Sequence, residues 1–280
     1  MRRATLALLA CCTAALACSD NLTPASDRQI YDGGGEPPLQ CVPNLDGRID
    51  SNELQAAIGV PATYLVSPQG EERPVDVVGE VDGAGKRVWD WSANAPTDQI
   101  AVLTASALTG KWYAASFPSG QFVTPSDAAG SLEAVYVHDE QALWLLGFAS
   151  AVEAPAEGKT LVVYQQPVAL YRFPVQVGGS WASAGTVQNA TIRGLPYAGR
   201  DTYEVSVDAA GTLHLPDVTF SQALRTRTRI TSEPAVGASV QRRQVSFLFE
   251  CFGEVARAQS RDDESAGDFT TAVEVRRLGL

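Results

Sequence analysis

The stretch "CVPNLDGRIDSNEL", residues 41 to 54, gathers oxygen donors at short, regular spacing. Asn44, Asp46, Asp50 and Glu53 carry side-chain oxygens, and Arg48 between them offers a backbone carbonyl. A hard cation such as calcium takes about six to eight oxygens, and a glycine permits the sharp turn that converges them. Gly47 stands where that turn would be. The same residues have a second use. Asp50-Ser51-Asn52-Glu53 has the spacing of a capping box, with an acceptor at the N-cap and Glu three residues on. Leu54, Ala57 and Ile58 would then share one face of a short helix, ended by Gly59 ahead of Pro61. Metal loop and capped turn are both open readings.

With Gly47 at the sixth place, the stretch resembles the EF-hand calcium loop. Asn44 falls third, Asp46 fifth, Arg48 seventh, the apolar Ile49 eighth, Asp50 ninth and Glu53 twelfth. The resemblance implies calcium as cofactor, held by Asn44, Asp46, Arg48, Asp50 and Glu53. It stops at the first place, where Val42 stands instead of an aspartate, and "GGGEPPLQ" offers no incoming helix. Half-loops of this kind, as in dockerin-like secreted modules, take the missing ligand from elsewhere.

The N-terminus carries a targeting signal. Met1-Arg2-Arg3 is a short basic region, and Ala4 to Ala17 is uncharged and mostly apolar. That length suits a signal peptide and falls short of the ~20 residues a membrane span needs. Ala15-Leu16-Ala17-Cys18 resembles a bacterial lipobox, which implies cleavage before Cys18 and lipid on its thiol. Leu8-Leu9-Ala10-Cys11 is a second lipobox-like match, and Ala15-Leu16-Ala17 is also an ordinary A-x-A cleavage site. Ser19 after the anchor implies the outer membrane. Loss of residues 1–17 leaves 19 Lys and Arg against 32 Asp and Glu and takes the formal charge from −11 to −13. Such a chain, with no basic run, is a poor partner for nucleic acid.

Cleavage at Cys18 leaves Cys41 and Cys251 in the folded part. In an oxidising envelope two such cysteines point to one disulfide, against the alternative of two buried thiols. Residues 18–40 hold three consecutive glycines and three prolines with no apolar period, the composition of a tether. Residues 41–60 hold the turn and short helix, and 61–280 form the body.

The body reads as strands. "RPVDVVGEVD" and "RVWDWS" flank the turn cluster Asp82-Gly83-Ala84-Gly85, and "QIAVLTASAL" precedes "GKWYAASF". "LEAVYVHDEQALWLLGFAS" is a hairpin whose second arm, Ala142 to Phe148, is apolar on both faces. "TYEVSVDAAGTLHLP" alternates around "DAAG". The fold class expected is all-β and antiparallel, either a sandwich or a strongly curved open barrel.

"YRFPVQVGGSW", residues 171–181, and "GTLHLPDVTFSQALRTRT", residues 211–228, resemble stretches of β-rich envelope lipoproteins of Gram-negative bacteria. The resemblance implies an all-β envelope protein with no reaction attached. The expected role is non-catalytic binding or structure. His138 and His214 are the two histidines and read as surface residues, and "GGSWA" around Ser180 lacks the second glycine of a nucleophile elbow. Arg225, Arg227 and Arg229 share one strand face and could hold an anionic ligand. Equally, they could pair across strands with Glu204 and Asp208. An open barrel would also be similar in architecture to the LolA/LolB lipoprotein-transport family, which implies a carrier of acyl chains.

If Cys18 carries the lipid, Cys18→Ser abolishes incorporation of labelled fatty acid and moves the protein from the membrane to the soluble envelope fraction. Label retained in the variant would place the anchor at Cys11.

Overall fold

Alternation of apolar and polar residues dominates from Pro61 onward, and the backbone follows it. In a computed structural model, which describes residues 41–279, the protein is all-β. Residues 1–17, Cys18 and the segment to Gln40 lie outside the described residues.

One antiparallel path runs through Gln99–Thr104, Pro61–Val66, Glu274–Leu278, Gly253–Gln259, Val240–Phe249, Thr219–Pro234 and Leu195–His214. It continues through Ser180–Ile192, Leu161–Arg172, Ala142–Ser150, Leu132–His138, Phe122–Pro125 and Ser106–Ala107. The first and last strands of this path are neighbours in the chain, with Ala105 alone between them. The covalent backbone thus joins the two edges of the sheet, and the architecture is a nearly closed barrel. Of the two expected arrangements, the curved barrel is the one found.

Curvature comes from irregular pairing. The register shifts at Leu145/Gly147, Val187/Ala190, Val207/Ala209 and Phe247/Leu248, and each extra residue bends its strand and sharpens the twist. Gly147 sits at φ 148°, and a Cβ there would lie 2.0 Å from the Val162 carbonyl oxygen. No other residue fits that bend. The residues "DAAG" lie inside one strand of 20 residues, Leu195–His214, with the shift at Val207/Ala209.

The outer face of the sheet is covered at two places. Outside, Phe247, Val245 and Ala256 pack under Trp89, Trp91 and Phe269 from segments 73–91 and 260–272. On the far side, Val123, Val135 and Leu146 pack under Leu108, Tyr113 and Phe117. "GKWYAASF" therefore forms no strand but a loop with one 3-10 turn, Ala114–Ser116. Tyr113 and Phe117 are buried and Trp112 is half-buried as a lid on the sheet, which a strand could not supply from one face. The expected two-faced strand is Ala142–Ser150, with Leu145 facing inward and Leu146 outward.

The N-terminal segment closes one end. Ile49 and Leu54 pack with Tyr171, Val175, Val207, Leu224 and Leu248, and Cys41 is bonded to Cys251 across 210 residues. The expected short helix over residues 51–58 is reduced to a 3-10 turn, Ser51–Glu53. Leu54 is drawn into the core at 8% exposure while Ile58 leaves at 49% and bridges to Ala105. A continuous helix would hold both on one face, so the barrel rim overrides the period.

Closing a loop of this length contributes roughly 5 kcal/mol by chain entropy alone, before native strain is counted. The double variant Cys41→Ser, Cys251→Ser is expected to lose roughly 2–5 kcal/mol of unfolding free energy in a urea titration. A loss below ~0.5 kcal/mol would mean that packing of Ile49 and Leu54 holds the plug by itself.

Candidate functional site in the barrel interior

The donors of residues 44–53 serve one another. The Asn44 amide donates to Glu53 Oε1 (3.0 Å), and the Asp50 N–H donates to Glu53 Oε2 (2.9 Å). Asn44 Oδ1 accepts from the Asp46 N–H at 2.8 Å, and Asp46 Oδ1 accepts from the Arg48 N–H at 3.1 Å. The Arg48 guanidinium lies against Asp46 and Asp50, in the place where a cation would neutralise them. Burial raises the pKa of Glu53, opposed by the Asp50 N–H. Among the described residues no group of three or more His, Cys, Asp or Glu is placed to hold a metal. The donor set fits a capped turn, with Leu45 N–H tied to Glu250 Oε2 (2.7 Å) and Cys251 N–H to the Glu53 carbonyl (2.8 Å). These last bonds pin the plug to the barrel rim.

Arg225, Arg227 and Arg229 share the outer face, and each has an acidic partner. Arg225 forks onto Asp208 at 2.8 and 2.9 Å, donates to the Val77 carbonyl and covers the Trp89 ring. Arg227 takes Asp208 and Asp268, and Arg229 takes Glu204. The bonds of Arg225 to Val77 and of Arg227 to Asp268 fasten the outer layer to the sheet, whereas Arg229 pairs within it. Neither histidine is fully exposed: His214 is half-buried beside Thr219, and His138 is half-buried against Phe173, where burial lowers its pKa.

The inward face bounds a cavity of about 810 Å³, open to solvent and lined from nearly every strand of the barrel. Its walls differ. Phe122, Leu143, Leu145, Phe148 and Leu170 make one side apolar, while Thr228, Arg242, Gln244, Arg257 and Gln259 make the other polar.

The deepest charges sit together. Arg257 and Arg276 stand directly opposite on neighbouring strands, so both guanidiniums enter the lumen side by side. Arg257 meets Glu274 at 2.8 Å and Glu254 at 3.5 Å. Arg276 has looser partners, Glu274 at 3.4 Å and the Ser126 carbonyl at 3.5 Å. It is 5% exposed. The Nε atoms of both arginines are buried without a hydrogen-bond partner. Burial would lower the pKa of Arg257, but Glu254 and Glu274 outweigh it and raise the value. Burial and then the neighbouring Arg257 lower that of Arg276. Arg276 is thus the less compensated cation of the pair.

Tyrosines ring the pair. The Tyr64 hydroxyl donates to the Glu254 carbonyl (3.0 Å), Arg276 lies over its ring, and burial pushes its pKa up to about 12. Tyr136 and Tyr171 feel the charges of Glu254 and Arg257, and burial raises both. A second polar group lies elsewhere in the lumen, where Tyr164 donates to Asp201 Oδ2 (2.6 Å) beside Tyr203, leaving Oδ1 buried and unpartnered. The reading from residue types missed Arg257, Arg276 and their tyrosines. The signal was there in "EVARAQ" and "EVRRL", but alternation alone marks a polar face as solvent-exposed.

No protein-family profile, curated protein or solved structure matches this chain. The site is therefore argued from its own geometry.

Because the donors of residues 44–53 satisfy one another, millimolar calcium is expected to leave the melting temperature unchanged. Glu53→Gln should cost about 1 kcal/mol, since one oxygen still accepts from Asp50 while the amide meets the Asn44 amide. That cost should be equal in calcium and in chelator. A calcium-dependent rise in wild type that the variant lacks would establish a metal loop.

Proposed function

We propose that this chain is an envelope protein, lipid-anchored at the outer membrane, whose barrel binds an amphipathic small molecule in a carrier or sequestering role without catalysis. The observation that carries the reading is the cavity of about 810 Å³, open to solvent, with one apolar and one polar wall. Small-molecule sites commonly occupy ~300–1,000 Å³ and combine apolar walls with a few polar groups. An apolar wall in a water-filled lumen is costly by ~25 cal/mol for each Å² exposed, so a ligand that covers it is favoured. The lipobox-like Ala15-Leu16-Ala17-Cys18 supports the anchor, and Ser19 supports the outer membrane. In that setting a barrel with an amphipathic interior suits the handling of membrane-derived molecules.

An environment-sensitive apolar dye added to the purified protein should gain fluorescence on binding. Ile230 faces the lumen and is only half buried, so Ile230→Trp fills space without breaking the sheet. The variant is expected to bind the dye about tenfold more weakly or worse at unchanged melting temperature. Equal binding by both would show that the dye sits outside the barrel.

A further inference from the structure

We infer that the lumen contains a head-group subsite in which Arg276 and Arg257 bond the anionic oxygens of a single-chain amphiphile whose tail lies along Phe122, Leu145 and Phe148. The inference rests on the binding reading above and names the ligand class for it. Three observations carry it. Arg276 is 5% exposed, lines the cavity, and has partners no nearer than 3.4 Å. Both it and Arg257 hold a buried Nε with nothing to donate to. A planar guanidinium left in this way has the fork geometry that carboxylate and phosphate oxygens match.

The surroundings favour an anion with a tail over a free anion. Tyr136 and Tyr171 face the charged cluster from the opposite side of the lumen. Leu143 and Leu145 stand level with Tyr171 and Tyr136 on the neighbouring strands, and with Leu170 and Phe148 they make the wall beside the tyrosines apolar. The available length also fits. Arg257 stands level with Ser246, and Asp201, through Ser232, stands level with Val240 on the same strand. The six steps from residue 240 to residue 246 cover about 20 Å. An acyl chain spans about half of the ~30 Å hydrocarbon thickness of a bilayer. Glu254 and Glu274 hold Arg257 in place, so Arg276 is the group with capacity to spare.

The test uses the full folded chain and three probes of equal tail length: palmitate, palmitoyl lysophosphatidate and hexadecanol, with inorganic phosphate as a tail-free anion. Wild type should bind at least one of the two anionic lipids on the order of 10- to 100-fold more tightly than hexadecanol, the range of a charge-assisted bond. Preference for palmitate assigns a carboxylate head, and preference for lysophosphatidate a phosphate head. Arg276→Gln should erase the preference and leave hexadecanol affinity unchanged, which also reports that the barrel is intact. If the glutamine variant does not fold, Arg276→Lys, which keeps the charge and loses the fork, should reduce the preference. Equal binding of all three lipids by wild type would overturn the head-group subsite and leave the cavity reading standing. Binding of none would overturn both. Phosphate alone binding as tightly as lysophosphatidate would overturn the tail's part in the site.

Discussion

The number of strands in the ring governs the rest of the structure. A barrel of about eight strands is just wide enough for its own side chains to fill. Here thirteen strands follow one another around the path, and the chain through Ala105 joins its edges. Side chains pointing inward from so wide a ring meet in places, as where Tyr171 reaches Ser246, but do not fill the interior, and a cavity remains. The lumen is thus a consequence of sheet width, not of any one residue. It also has to be capped. Ile49 and Leu54 seal one end, and the Cys41–Cys251 bond holds them there against the entropy of a long chain.

A sheet this wide exposes two large faces, and the sequence supplies cover for the outer one from its own connections. Segments 73–91 and 260–272 bury Phe247 and Trp89, and the "GKWYAASF" loop buries Val135 and Leu146. This arrangement reverses the usual meaning of alternation. On Thr219–Pro234 the outward residues are arginines, yet Arg225 is buried at 6% exposure beneath the outer layer, with Asp208 and Trp89 as partners. Inward residues include Thr228 and Ser232, which line the lumen. A polar side chain in such a strand marks neither face reliably.

That reversal explains which features could be seen in the residue pattern. The all-β class, the hairpin around His138 and Ala142, and the cross-strand pairing of Arg229 with Glu204 depend on period and register alone. So does the doubly buried strand from Ala142, whose two apolar faces need no knowledge of what covers them. The disulfide was legible from cysteine number together with the oxidising compartment expected from the N-terminal residues. Other features depend on partners far along the chain. Arg257 and Arg276 are 19 positions apart and become neighbours only when the last strand joins the sheet. Tyr64 comes from the other end of the body. No local pattern relates these three. The short helix after Glu53 failed for the same reason, because the rim at Ala105 and Cys251 takes the bonds that a helix would have made.

The interior charges raise the sharpest energetic question. Breaking the partnership of a buried ion is costly by about 3–5 kcal/mol, and well-packed apolar residues commonly serve stability as well as a buried pair does. Arg257 is justified structurally, since Glu274 and Glu254 hold it on two sides. Arg276 is different. It shares Glu274 with Arg257, faces another cation, and leaves a donor unused. A leucine at that position would pack against Tyr64 and avoid the desolvation. A fold selected for stability alone has no use for a half-compensated guanidinium facing a cavity. Its presence is accounted for when the missing partner comes from outside the chain and enters the lumen with its charge toward Arg276.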